Sequence, residues 1–109
     1  MARHKCETYD WVKGEDFEYG FIKNYSGTFI DAMKEVYKEA REQAEKAGEE
    51  ALKDETCLGP CQRAIFVDTS IKSIEFGKKD PGAFNCDVKG RWEAYILCYK
   101  DPKKAGSSQ

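Results

Sequence analysis

Long apolar runs are missing from this sequence. No window approaches the roughly 18 consecutive apolar residues of a membrane-spanning helix, and the opening M-A-R-H-K-C-E has no apolar core of the kind a secretory signal carries. Those two absences lead to the expectation of a soluble chain in the cytosol with no membrane partner. Basic runs are missing too. The 18 Lys and Arg residues are interleaved with 20 Asp and Glu for a net charge of -2, which removes the electrostatic footprint of a nucleic-acid partner. Histidine is scarce: His4 stands alone, in a polar lead-in read as frayed, so a catalytic imidazole has no orienting neighbour in view.

Catalytic motifs are absent as well. The sequence holds no Gly-rich phosphate loop, H-E-x-x-H, G-x-S-x-G or paired C-x-x-C. Asp68, Glu75 and the pair Glu15-Asp16 read as strand and turn residues with no sequence reason to converge. An enzyme is therefore not the first expectation. Asn24-Tyr25-Ser26 fits the N-x-S glycosylation pattern, a tripeptide common by chance.

What is present describes one well-charged domain: 109 residues, 40% apolar and 35% charged, with a single modest core. Residues 1–100 read as that domain, and the small polar tail 101–109 reads as disordered. In the stretch after Asp10, Phe17, Tyr19 and Phe21 share one phase and predict a strand over residues 16–23, with Gly20 as its bulge.

The strongest pattern follows. Thr28-Phe29-Ile30-Asp31 matches the [ST]-x-x-[DE] start signal. From there Phe29, Ile30, Met33, Val36, Tyr37, Ala40, Ala44, Ala47, Ala51 and Leu52 make an apolar stripe on a helix reaching about Asp54. Its second half is alanine alone. Alanine buries little area, so that half gains only if another backbone surface comes very close or if it projects toward a partner. Gly48 adds a cost of about 1 kcal/mol relative to alanine inside a helix.

After Gly59-Pro60 the period falls to two. Residues 62–77 predict a strand bulged near Lys72-Ser73, K-K-D-P-G a type II turn, and residues 84–99 a returning strand. Phe84, Cys86, Val88, Trp92, Ala94, Ile96 and Cys98 share one face, and Tyr95, Leu97 and Tyr99 the other. Lys89-Gly90 is the alternative point for a second turn. Both 64–67 and 94–99 are apolar on both faces, so something must cover the second face. The candidates are the N-terminal segment with Trp11, Phe17 and Tyr19, or a second copy of the chain.

Five cysteines, an odd number, in a chain without a signal lead to an expectation of reduced thiols. Cys57 and Cys61 stand at a spacing that structural zinc sites use. A hairpin turning at 80–82 makes partner numbers sum to about 160 to 163, which brings Cys98 within a few residues of Cys61. Cys86 lies twelve positions from Cys98, roughly 40 Å along a continuous strand, and stays outside this cluster. Zinc on Cys57, Cys61 and Cys98 would need Cys6 or His4 as a fourth ligand. An activated redox thiol is disfavoured, because Cys57 follows a helix C-terminus. Turn and core positions for small buried thiols are the simpler reading. Trp11, Trp92, Tyr95 and Tyr99 could line a small-molecule pocket under a curved sheet, or serve as core.

The expected fold is α+β in the order β-α-β-β, an antiparallel sheet packed on one long helix. In architecture alone this order resembles the dodecin-like small oligomeric flavin binders; no motif residues match. The leading functional expectation is a self-associating binding or assembly module that forms a homo-oligomer. The alternative is a thiol-based metal or redox protein using Cys57, Cys61 and Cys98.

Overall fold

The computed structural model describes residues 3–100, so the tail 101–109 lies outside the described residues. The elements are β1 (Arg3–His4), β2 (Thr8–Asn24), α1 (Phe29–Ala51), β3 (Thr56–Cys57), β4 (Gln62–Asp80) and β5 (Ala83–Tyr99). One helix packs on a three-stranded antiparallel sheet of order β2-β5-β4, and β1 pairs with β3 in a small parallel sheet. This is the expected α+β architecture with its long C-terminal hairpin.

The helix begins where its signal stands. Thr28 is extended (φ -90, ψ 154), and its Oγ1 accepts from the Asp31 amide at 3.1 Å, while Asp31 places a carboxylate in the positive first turn. It stops at Ala51, three residues short of Asp54, because the chain turns there to seat Leu52, which is 0% exposed, in the core. Its last turn carries no cation of its own. Arg63 supplies one from β4, donating from Nη1 to the Leu52 and Glu55 carbonyls at 3.1 and 2.6 Å.

Of the alanine half-stripe, Ala40 and Ala44 are buried against the sheet, and Ala47 and Ala51 are partly buried beside them. Ala32, Val36, Ala40, Ala44 and Gly48 form a buried row at intervals of four, along which the helix lies closest to the sheet. A Cβ on Gly48 would stand 2.6 Å from Val67 Cγ1, so glycine is the residue that permits the approach. Ile30 and Tyr37, expected on the stripe, fall at its margin and are exposed.

Strand β5 is central and continuous, with no turn at Lys89-Gly90. Its residues Phe84, Cys86, Val88, Trp92, Ala94, Ile96 and Cys98 are all at most 3% exposed, as their shared phase predicts. The β4–β5 register pairs Arg63 with Cys98, within the expected sum, and shifts between Ile71 and Ser73 where the bulge was expected, and again between Phe76 and Lys78. Pro81 and Gly82 (φ 77) close the hairpin between Asp80 and Ala83.

The N-terminal part differs from expectation. Strand β2 starts at Thr8, well before residue 16, and its irregularity lies between Trp11 and Lys13, whereas Gly20 pairs regularly with Asp87. From Arg3 onward the lead-in is structured, with Arg3 and His4 of β1 paired to Thr56 and Cys57. The charges of Asp10, Lys13, Glu15 and Asp16 hide this strand from a periodicity argument, because an edge strand tolerates polar residues on both faces. Nor does β2 cover the second face of the sheet. It joins edge to edge, with Phe17 and Phe21 buried beneath the helix layer and Trp11 turned to the opposite, open face. Phe17 packs over Gly90, where a Cβ would stand 2.5 Å from its Cζ.

Steric conflict and helix propensity oppose each other at Gly48. Gly48→Ala should lower unfolding free energy by about 1 kcal/mol in the native background, and raise it by about 1 kcal/mol in a Val67→Ala background, where only the propensity gain remains. Denaturant melts of the four proteins check the change of sign.

Candidate functional site at the cross-linked end of the sheet

Cysteines and aromatics gather where the β4–β5 hairpin opens. Cys6 is bonded to Cys61 and Cys57 to Cys98, with Cα separations of 5.8 and 5.7 Å. Residues 56–61, T-C-L-G-P-C, thus run from β3 into a turn over residues 58–60, with Gly59 at φ 65, and the two cysteines bind different partners. Cys61 ties β4's start to the β1–β2 turn. Cys57 ties β3 to the end of β5, where Cys98 is 0% exposed. Backbone bonds complete the staple: Leu58 N donates to His4 O at 2.8 Å, and Glu7 N, from a residue at φ 63, donates to Cys98 O at 2.7 Å.

The three candidate zinc ligands, Cys57, Cys61 and Cys98, are therefore drawn to one end of the molecule as anticipated, and Cys6 joins them. The expectation of reduced thiols is corrected: all four sulfurs are spent in cross-links, and in that form none offers a thiolate to an ion. Among the described residues, no group of three or more His, Cys, Asp or Glu side chains could hold a metal ion. Cys86 is the free cysteine. It is buried, and burial first, then the Asp87 charge, raises its thiol pKa, so it is a packed core residue with little thiolate character.

His4 sits inside this end. Its Nε2 lies 2.8 Å from Glu55 Oε1 and its Nδ1 lies 3.1 Å from Asp10 Oδ2, so the ring joins β1 to β2 and to the loop after α1. Two carboxylates facing two ring nitrogens favour the doubly protonated imidazolium. The Glu55 hydrogen bond is the largest cause of a raised His4 pKa, opposed by burial and aided by Asp10. Reading the lead-in as frayed hid this clasp, since neither carboxylate is near His4 in a helical or strand period.

The open face of the sheet carries the second feature. Tyr9, Trp11 and Phe66 are 57%, 54% and 47% exposed, and they surround the half-buried Tyr95, Leu97 and Tyr99 of β5. Tyr9 stacks on Tyr95 at 5.2 Å between ring centroids and meets Phe66 edge-on at 5.9 Å. Trp11 is oriented by a hydrogen bond from Nε1 to Glu93 Oε2. Arg91 holds the other Glu93 oxygen at 2.6 Å and reaches Asp16 at 3.2 Å, beginning a charged belt that ends the aromatic surface. The Arg91 and Trp11 hydrogen bonds, in that order, lower the Glu93 pKa and keep the carboxylate ionised. Trp92 lies in the core under the helix, so the aromatics form an outer platform and do not line a pocket beneath a curved sheet. A shallow depression of about 260 Å³ lies far from this platform, against Ile22, Lys78 and Phe84.

With both cross-links formed, denatured, non-reduced protein should titrate one thiol per chain, and folded protein almost none; five thiols would mean both are open. Cys57→Ser combined with Cys98→Ser should cost about 2–5 kcal/mol of stability, the range for removing a native cross-link that closes a long loop. A raised histidine pKa contributes stability that is whole below the ordinary imidazole range and vanishes as pH climbs through the raised value. The excess thermal stability of the wild type over His4→Gln should therefore shrink between about pH 6 and pH 9, as differential melts would show. No family model, curated protein or solved structure matches this chain, so its function has to be argued from this geometry.

Proposed function

We propose that the chain is a binding and assembly module that self-associates. One observation carries this reading: among the described residues the sheet is covered by α1 on one face only, and the uncovered face gathers Tyr9, Trp11, Phe66, Tyr95, Leu97 and Tyr99 at the cross-linked end. Contiguous exposed apolar surface on a folded chain marks an interaction site, and aromatic residues are enriched at the centres of such sites. Two cross-links anchor the strands beneath the platform, which reduces the ordering cost of association. Ala40 and Ala44 of α1 are buried within the chain and offer no surface to a partner.

A homo-oligomer is the form this reading takes, and the part of the aromatic surface that a second copy leaves uncovered is available to a small or macromolecular ligand. The compartment follows the redox state. Two cross-links suit an oxidising environment more than the cytosol that composition suggested. The alternative, zinc or redox chemistry at Cys57, Cys61 and Cys98, requires both bridges to open first and so stands second.

Light scattering of the non-reduced protein should report a mass that is a multiple of one chain. A mass equal to one chain across about 1 to 100 μM, at or above the weak end of the affinities that standard-sized interfaces show, would remove the proposal.

A further inference from the structure

We infer that the seam of this self-association is the outer edge of β4, which pairs antiparallel with β4 of a second copy to make a continuous six-stranded sheet. The inference rests on the self-association reading and adds where the copies meet.

The sheet has two outer edges, and they are built differently. Strand β2 is protected over its first two thirds and again near its end: its register slips between Trp11 and Lys13, Lys13, Glu15, Asp16 and Glu18 crowd its middle, and Lys23 follows the short uncharged stretch 19–22. The second half of β4 is protected in the same way, with register shifts after Ile71 and Phe76 and with Lys72, Lys78 and Lys79. Bulges and lysines are the devices by which natural sheets keep their edges from pairing. The first half of β4 has neither. From Gln62 to Ile71 its pairing with β5 is regular, no proline interrupts it, and its only charges are Arg63 and Asp68. That run spans roughly 33 Å of regular ladder at 3.3 Å per residue, longer than a typical strand.

Both faces of this run also carry unfilled apolar surface. Phe66 is 47% exposed on the open face. On the helix face Ile65, Val67 and Ile71 are only partly buried, although α1 packs over them. Keeping the two helices on one face requires partners of equal parity, so a two-fold axis near Phe66 sets Phe66 beside its own copy and Ile65 opposite Val67. The half-buried row then lies between two helices. Antiparallel pairing also separates like charges, since Arg63 and Asp68 stand at opposite ends of the apolar stretch. Tyr9 and Trp11, on the far edge, stay outside the seam, and the two open faces merge into one aromatic surface.

The test compares two exposed aromatics of the same face on opposite edges. In light scattering the wild type should have twice the mass of one chain, Phe66→Lys should fall to the mass of one chain, and Trp11→Lys should keep the wild-type mass. Hydrogen exchange should show amides of residues 63–71 slower in the wild type than in Phe66→Lys, with those of residues 9–18 unchanged. A wild type with the mass of one chain would defeat the self-association reading itself. A multimer that survives Phe66→Lys, or that Trp11→Lys disrupts equally, would leave that reading standing and overturn the β4 seam in favour of docking through the open face.

Discussion

Strand β5 holds the structure together, because it is paired along both edges and buried on alternate residues from Phe84 to Cys98. A central strand of this kind sets the register of everything beside it: a slip of one residue would turn Phe84, Val88, Trp92 and Ile96 out to solvent. The helix reaches this strand only because its contact row is small. Ala40, Ala44 and Gly48 bring its backbone down onto the sheet, and Gly90 makes matching room for Phe17. Packing at that closeness leaves little tolerance for added volume.

The helix is shorter than the sheet it covers. Its 23 residues reach about 35 Å at 1.5 Å each, while the 19 residues of β4 run to about 60 Å. Each end therefore needs its own closure. At the hairpin turn, Phe29, Phe76, Phe84 and Tyr25 make a ring cluster, with Lys79 Nζ 4.1 Å from the Phe29 centroid. At the open mouth no such cluster exists on the helix side among the described residues, and the chain uses two cross-links, the β1–β3 pair, the Arg63 cap and the His4 clasp. Covalent closure at this end leaves the aromatics there free to face outward, which is why the cross-links and the exposed aromatic surface coincide.

That coincidence also explains how the open face keeps its shape. Trp11 is held by Glu93, and Glu93 by Arg91, so the platform's border is a chain of charge-assisted contacts. The charged belt beyond it confines the apolar surface to one end. The surface left exposed there has an aromatic centre and a polar margin.

Much of this was legible in one dimension. The Thr28 cap, the Pro81-Gly82 turn, the bulge after Ile71, the inward phase of β5 and the nearness of Cys98 to Cys61 all follow from local periodicity and from a hairpin's fixed register. Local pattern suffices there because helix and strand periods decide which way a side chain points. It does not suffice for β2 before residue 16, whose mixed charges mimic a loop, or for the His4 clasp, whose three side chains, His4, Asp10 and Glu55, come from separate segments. Nor could spacing alone pair Cys6 with Cys61 and Cys57 with Cys98, or show that Gly48 is a contact and not a weakness. Those outcomes depend on which surfaces meet once the chain closes, and proximity in space, not order along the chain, decides them.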